Sequence, residues 1–311
     1  TSTLAFYNAL LPSIAAPEEV DRVSTAGFAL GYLGGGLLLA LNLLAIQDPG
    51  RFGLADRAAA TRAAFLSAAI WWALFSLPLL RRVPEPPARR DPGEVPGAGA
   101  ARVAVARLAR TLRELRRHPD AAWLLAAFLV YNDAINTIIR MATAFGDELG
   151  IAQPLLIAAI LMVQFAGVPF AFAFGFLAGR VGAKRAVLLA LAVYAGIAVL
   201  GFRLRTAADF FLLAFLVATV QGGAQALSRS LFATLVPRHK AGELFGIFAV
   251  FDRFGGAMGS LVFGLVLAAT GSSRPAILTL VVFFALGAWM LSRVDVARGR
   301  AAAREAEARA G

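Results

Sequence analysis

The chain has 311 residues, 59% of them hydrophobic and 16% charged, with no cysteine and a net charge of +11; its mean hydropathy is +0.72. An ordinary soluble domain carries about 25% charged residues, so the composition excludes a soluble globular fold and reads as a polytopic membrane protein. The missing thiols exclude disulfides, thiolate chemistry and cysteine-based metal sites.

In chain order, residues 1–11 look like the end of a spanning helix. Eight complete spans are predicted near 24–46, 61–80, 121–143, 154–178, 186–202, 208–233, 243–268 and 275–292, each about 18 or more apolar residues long. They are rich in Leu, Ala, Phe and Gly and do not alternate in polarity, so they are helices rather than barrel strands. Between the second and third spans, residues 81–99 hold five prolines with Gly93, Gly97 and Gly99, the composition of a flexible linker. Residues 101–117 then read as a basic amphipathic helix suited to a membrane surface with anionic lipids, before Pro119 opens the next span. The expected organisation is the remainder of an N-terminal helical half over 1–80, a basic linker over 81–118, a six-helix C-terminal half over 119–294 and a tail over 295–311.

Charge placement sets the expected orientation. With the linker taken as cytoplasmic, that side collects 21 of the 30 Lys and Arg residues and the other side six. This follows the positive-inside rule, with linker and C-terminus cytoplasmic in an integral protein of a bacterial inner membrane. The positive charge therefore reports topology, and no nucleic-acid partner is expected. His118 and His239 sit singly in basic loops, which gives no metal site, and no cofactor is expected. There is no phosphate-binding Gly-x-x-x-x-Gly-Lys-Ser/Thr string, so direct nucleotide drive is not expected. An intramembrane aspartyl protease would need Gly-x-Gly-Asp, and the nearest string is Ala144-Phe-Gly-Asp147 at a helix exit. No enzyme is expected.

An internal repeat lies at a constant offset. Leu10, Pro12, Ala16, Glu18, Gly31 and Gly34 recur 225 residues later as Leu235, Pro237, Ala241, Glu243, Gly256 and Gly259. In both copies a helix ends at Leu-(Leu/Val)-Pro, a polar loop with Glu follows, and a Gly-rich helix begins, as in a duplicated half. A partner for the half that begins near residue 121 would start upstream of Thr1, which is not an initiator Met, so the chain is expected to be a fragment lacking the first three to four helices.

The residues that need explaining are polar ones inside spans. A charged side chain at the middle of a spanning helix costs about 2.5 to 3.5 kcal/mol on insertion scales, so such residues usually line an enclosed polar path. Asn132, Asp133, Asn136 and Arg140 occupy one such span; Asp133, Asn136 and Arg140 share a helix face over about 10 Å. Gln221, Gln225 and Arg229, spaced by four, form a second stripe, and Gln164 supplies a midspan amide on another helix. Asp252 and Arg253 are adjacent, project about 100° apart, and at least one needs a partner elsewhere. The stripes are expected to face a central cavity between two halves where solute or a proton binds. The competing readings are a structural ion-pair network for Asp133 and Arg140, bracing by Asp252 and Arg253, and snorkelling by Arg229.

Six plus six helices with a long basic central loop resembles the major facilitator superfamily, and Gly175-Phe-Leu-Ala-Gly-Arg-Val-Gly-Ala-Lys-Arg185 is similar to its loop signature Gly-x-x-x-Asp-Arg-x-Gly-Arg-Lys/Arg. Gly179 stands where that family usually has Asp, which puts the loop's charge latch in doubt for this half. Phe6-Tyr-Asn-Ala-Leu-Leu-Pro12, Gly31-Tyr-Leu-Gly-Gly-Gly36, Tyr131-Asn-Asp-Ala134 with Ile139-Arg-Met141, and Gln225-Ala-Leu-Ser-Arg-Ser230 resemble the branch of autophagy-related vacuolar amino-acid effluxers and their bacterial relatives. The resemblance implies a secondary transporter working by alternating access as a monomer, on a small solute such as an amino acid, coupled to protons. An Arg beside an Asp suits a zwitterion. A lipid or amphiphile flippase on the same fold, and a nontransporting membrane sensor or assembly protein, remain as alternatives.

Overall fold

The computed structural model describes residues 2–83, 113, 115–254 and 257–309, with side chains for all of these except 2–5, 251, 253 and 254. Most of the linker, the basic amphipathic helix expected over 101–117 apart from a few residues at its end, and the Arg253 side chain lie outside the described residues. Every regular element among the described residues is helical.

The helices are α1 (Ser2–Ala9), α2 (Leu11–Ile14), α3 (Val20–Gln47), α4 (Arg57–Arg82), α5 (Pro119–Glu148), α6 (Gln153–Val181), α7 (Ala183–Phe202), α8 (Ala207–Leu235), α9 (Ala241–Phe254), α10 (Ala257–Thr270), α11 (Ser273–Ser292) and α12 (Val296–Ala308). Seven of them, α3 to α8 and α11, are long and apolar enough to cross a membrane. The span expected over 243–268 is described as helix on both sides of Gly255 and Gly256, α9 before them and α10 after, and those two residues lie outside the described residues.

Local signals set the ends. Asp56 caps α4 by accepting from the Ala59 amide at 2.7 Å, and Thr206 with Asp209 forms a reciprocal capping box on α8. Between α6 and α7 the chain turns at Gly182, whose φ of +87° favours a residue without Cβ.

The core lies among α5, α7, α8, α9 and α11. Tyr194 of α7 stacks on Phe284 of α11 with centroids 5.2 Å apart, and Phe128 of α5 stacks on Phe248 of α9 at 4.2 Å. Lipid tails are as apolar as Leu, so helices in a membrane associate through close packing of small residues rather than by escaping water. Gly287 of α11 shows this, since a Cβ there would fall 2.8 Å from the Tyr131 Cβ. Helix α4 packs on α3 and leaves Phe65, Leu66, Trp72, Phe75 and Leu80 exposed, as suits contact with lipid.

The residues expected as a tail form α12, which folds back over the ends of α5 and α8. Asp295 caps it by accepting from the Arg298 amide. Its Gly299 sits so close to α5 and α8 that a Cβ would fall 2.6 Å from Leu235 Cδ2 and 3.0 Å from Asp120 Cβ. Asp120, only 1% exposed, accepts two bonds of 2.8 Å from the Arg298 guanidinium and one of 2.7 Å from the Asp295 amide. Pairing with Asp120 holds Arg298 more firmly protonated than usual. Below, the face of the bundle that carries α12 is the tail side.

Candidate functional site

A cavity of about 210 Å³ is walled by α5, α6, α7, α8, α10 and α11. Its lining is apolar, with Ile138, Phe145, Ile160, Val163, Ile197, Phe210, Val217 and Phe263 among the contributors. Three polar side chains interrupt it: Thr137, Gln164 and Gln221. These residues fall at and beyond mid-depth, away from the tail side. Sequence reasoning placed the solute path between two halves; this cavity lies within the helices after the linker and meets α3 at Gln164 and Gln221.

Toward the tail side, helix α3 packs on α6 and α8. Glycines on both surfaces permit close approach: a Cβ on Gly36 would fall 3.2 Å from Gln164 Cβ, and one on Gly175 would collide with Thr25. Polar bonds lock the same region. The Ser24 hydroxyl donates to the Ala226 carbonyl at 2.6 Å, and Ser230 donates to Asp21 at 2.5 Å.

Arg229 lies in this seam and is only 6% exposed. Its Nε donates to Ser24 Oγ at 3.0 Å, Nη1 to Asn8 Oδ1 at 3.1 Å and Nη2 to the Ser24 carbonyl at 3.2 Å. The rings of Tyr7 and Phe28 flank it with centroids 5.4 and 5.1 Å from the guanidinium carbon. No carboxylate pairs with it among the described residues. The cation is held by neutral dipoles and π faces, not snorkelled to the surface.

The stripe on α5 separates onto different neighbours. The Tyr131 hydroxyl bonds to Ser228 of α8, and Asn132 Nδ2 donates to Asp252 Oδ1 of α9 at 2.8 Å. Asp133, 2% exposed, accepts from the Gly259 amide of α10. Thr137 donates to the Asp133 carbonyl at 2.8 Å. Asn136 is half-buried, while Arg140 is exposed and forms no ion pair among the described residues. The fold thus brings Asn132 to Asp252 and Gln164 to the cavity shared with Gln221, but it does not bring Arg140 to Asp133. Gln225 is half-buried, without a side-chain hydrogen bond among the described residues.

Two features escaped the sequence reading. Thr137 joins the cavity wall, and its position one turn after Asp133 was a usable signal. Tyr32, with its buried hydroxyl beside Gln221, sits among the glycines of 31–36, where attention fell on packing. At Gly179, where the loop signature has Asp, a Cβ would meet nothing within 4 Å, so packing does not impose the departure.

Residues 5–304 match the family described as Vacuole effluxer Atg22 like. The chain belongs to this family. It is 32% identical over 292 residues to the uncharacterized MFS-type transporter YxiO of Bacillus subtilis, covering 93% of this chain and 67% of that protein. It is 26% identical to Autophagy-related protein 22 of Yarrowia lipolytica over 90% of this chain and 51% of the relative. With the same protein of Pyricularia oryzae it shares 27% identity over 90% of this chain and 44% of the relative. The chain thus spans about half the length of the fungal relatives it matches. As a member of the Atg22-like family, it is an all-helical polytopic membrane protein of the major facilitator type, and the family is one of transporters and effluxers rather than enzymes.

Proposed function

We propose that these helices carry the solute path of a secondary transporter that works by alternating access. The observation that carries the reading is the apolar cavity with Thr137, Gln164 and Gln221 as its polar handles, next to a close-packed seam of α3 with α6 and α8. A small solute with an apolar body and a hydrogen-bonding end matches such a lining. An amino acid with an uncharged side chain fits that description. The intramembrane carboxyls of Asp133 and Asp252 are the candidate proton carriers, and Arg229 the candidate anion anchor, once the seam opens.

The surplus of Arg and Lys on the linker side supports a cytoplasmic tail side, with anionic lipids at the basic linker. The repeat at offset 225 supports a two-half organisation, with residues 1–80 belonging to the first half and 119–294 to the second.

The test is uptake and efflux of a labelled amino-acid panel by the full-length protein in proteoliposomes, with and without a pH gradient. Movement of no panel member in either direction rejects the amino-acid reading. A second reading, a lipid or amphiphile flippase, is favoured by the apolar cavity walls. Loss of leaflet asymmetry for a fluorescent phospholipid in the same vesicles, with no amino-acid transport, would decide for it.

A further inference from the structure

Next to Gln221, at the polar end of the cavity, sits a single aromatic side chain of α3. Tyr32, midway along α3, lays its ring in a notch cut from two facing helices. A Cβ on Gly222 of α8 would fall 2.7 Å from Tyr32 Cε2, and one on Gly167 of α6 would fall 3.3 Å from Tyr32 Cδ2. Ala171 completes the notch, 3.1 Å from that same ideal Gly222 Cβ. Any larger residue at position 222 would occupy the space the ring now fills. The Tyr32 hydroxyl lies beside Gln221, which lines the cavity.

Tyr32 is only weakly tethered in this notch. Its hydroxyl is buried beside Gln221 and, among the described residues, makes no hydrogen bond of standard geometry. A buried polar atom without a well-formed bond is costly, and its release forfeits little. A structural tyrosine of the core behaves differently, as Tyr131 shows with its bond to Ser228.

We propose that Tyr32 is the tail-side gate of the solute cavity, with its ring as the moving plug and Gly167 and Gly222 as the seat. The proposal rests on the cavity being the solute site. On this view Tyr32 leaves the seat whenever the tail side opens, and exposes Gln221 to that side.

The chain contains no cysteine, so Val217→Cys, one turn from Gln221 on the cavity wall, gives these residues one thiol. The full-length protein carrying it is sealed in vesicles, and a membrane-impermeant maleimide is applied from the tail side. Labelling is expected to be slow in this background and in Tyr32→Phe, which keeps the ring. It is expected to become about tenfold faster in Tyr32→Ala, which removes the plug, and in Gly222→Ala, which blocks the seat, as the open population rises. Equal rates in all four chains overturn the gate, and so does fast labelling of Tyr32→Phe. If Tyr32→Ala does not fold, Gly222→Ala alone decides by the same criterion. Labelling needs no solute, so a positive gate result with no transport of the panel would reject the amino-acid reading while leaving the gate in place.

Discussion

The Gly259 amide donates to the Asp133 carboxylate, joining α10 to the middle of α5. The bond ties α10 to α5 through a buried carboxylate, so Asp133 has a structural duty alongside any part in proton movement.

The two roles separate by substitution. Asp133→Asn keeps a carbonyl oxygen for the Gly259 amide and removes titration, so the protein should remain folded. Asp133→Ala removes the buried bond to the Gly259 amide and should lower stability by about 1–3 kcal/mol, measured as an earlier melting transition in detergent. In proteoliposomes, Asp133→Asn is expected to abolish accumulation driven by a pH gradient while retaining exchange between equal compartments. Full gradient-driven accumulation by the folded variant removes Asp133 from the proton path.

Gly259 is as constrained as its partner. A Cβ there would fall 2.6 Å from Asp133 Oδ2 and would also collide with Thr137. Gly259→Ala should therefore cost about 1–3 kcal/mol through overpacking. Scanning fluorimetry beside Gly264→Ala, where a Cβ meets nothing within 4 Å, supplies the control. Indistinguishable melting curves for the two would show that α10 can move away from α5 freely.

The seam makes a sharper demand on Arg229 than charge alone. Its planar fork reaches Ser24 and Asn8 together, a geometry Lys cannot reproduce. Arg229→Lys should weaken the tail-side closure, and Ser24→Ala should do the same by stranding the guanidinium Nε at a cost of about 1–3 kcal/mol. Both variants are expected to label faster at Val217→Cys from the tail side. Unchanged labelling in both would mean that the glycine contacts alone hold the seam.

On the tail side, Arg298→Ala should leave the buried Asp120 carboxylate with the Asp295 amide as its remaining hydrogen-bond partner among the described residues, and should lower stability. Trypsin should then cut sooner at Arg300 and Arg304 as α12 detaches. Pairing Arg298→Ala with Asp120→Asn should recover part of the loss, which a double-mutant cycle reads directly.

The spans were legible because a membrane imposes length and apolarity on each helix independently of its neighbours. The partners were less so. Asp133 and Arg140 do lie on one helix face, but sequence spacing fixes neither how deeply α5 is wrapped nor where, and the fold buries one and exposes the other. Asn132 with Asp252, and Asp133 with Gly259, depend on how α9 and α10 meet α5, which no local pattern encodes. Tyr32 is harder still, since its meaning comes from Gly167 and Gly222, remote in the chain and with no side chain to announce a contact. The tail held a readable signal that the sequence analysis passed over: Asp295 as a cap, followed by Val296, Gly299 and Ala303 at helical spacing.

The neutral company of Arg229 has a consequence for the solution around the protein. Among the described residues no cation–carboxylate pair joins α3 to α6 or α8. Surface ion pairs weaken as salt shortens the Debye length, which is about 8 Å at physiological ionic strength. A closure whose charged members, Arg229 and Asp21, bond to neutral groups has little ion pairing for salt to screen. The balance between closed and open seams is thereby set by membrane and solute, and a cell whose internal ionic strength swings with osmotic stress leaves that balance where it was.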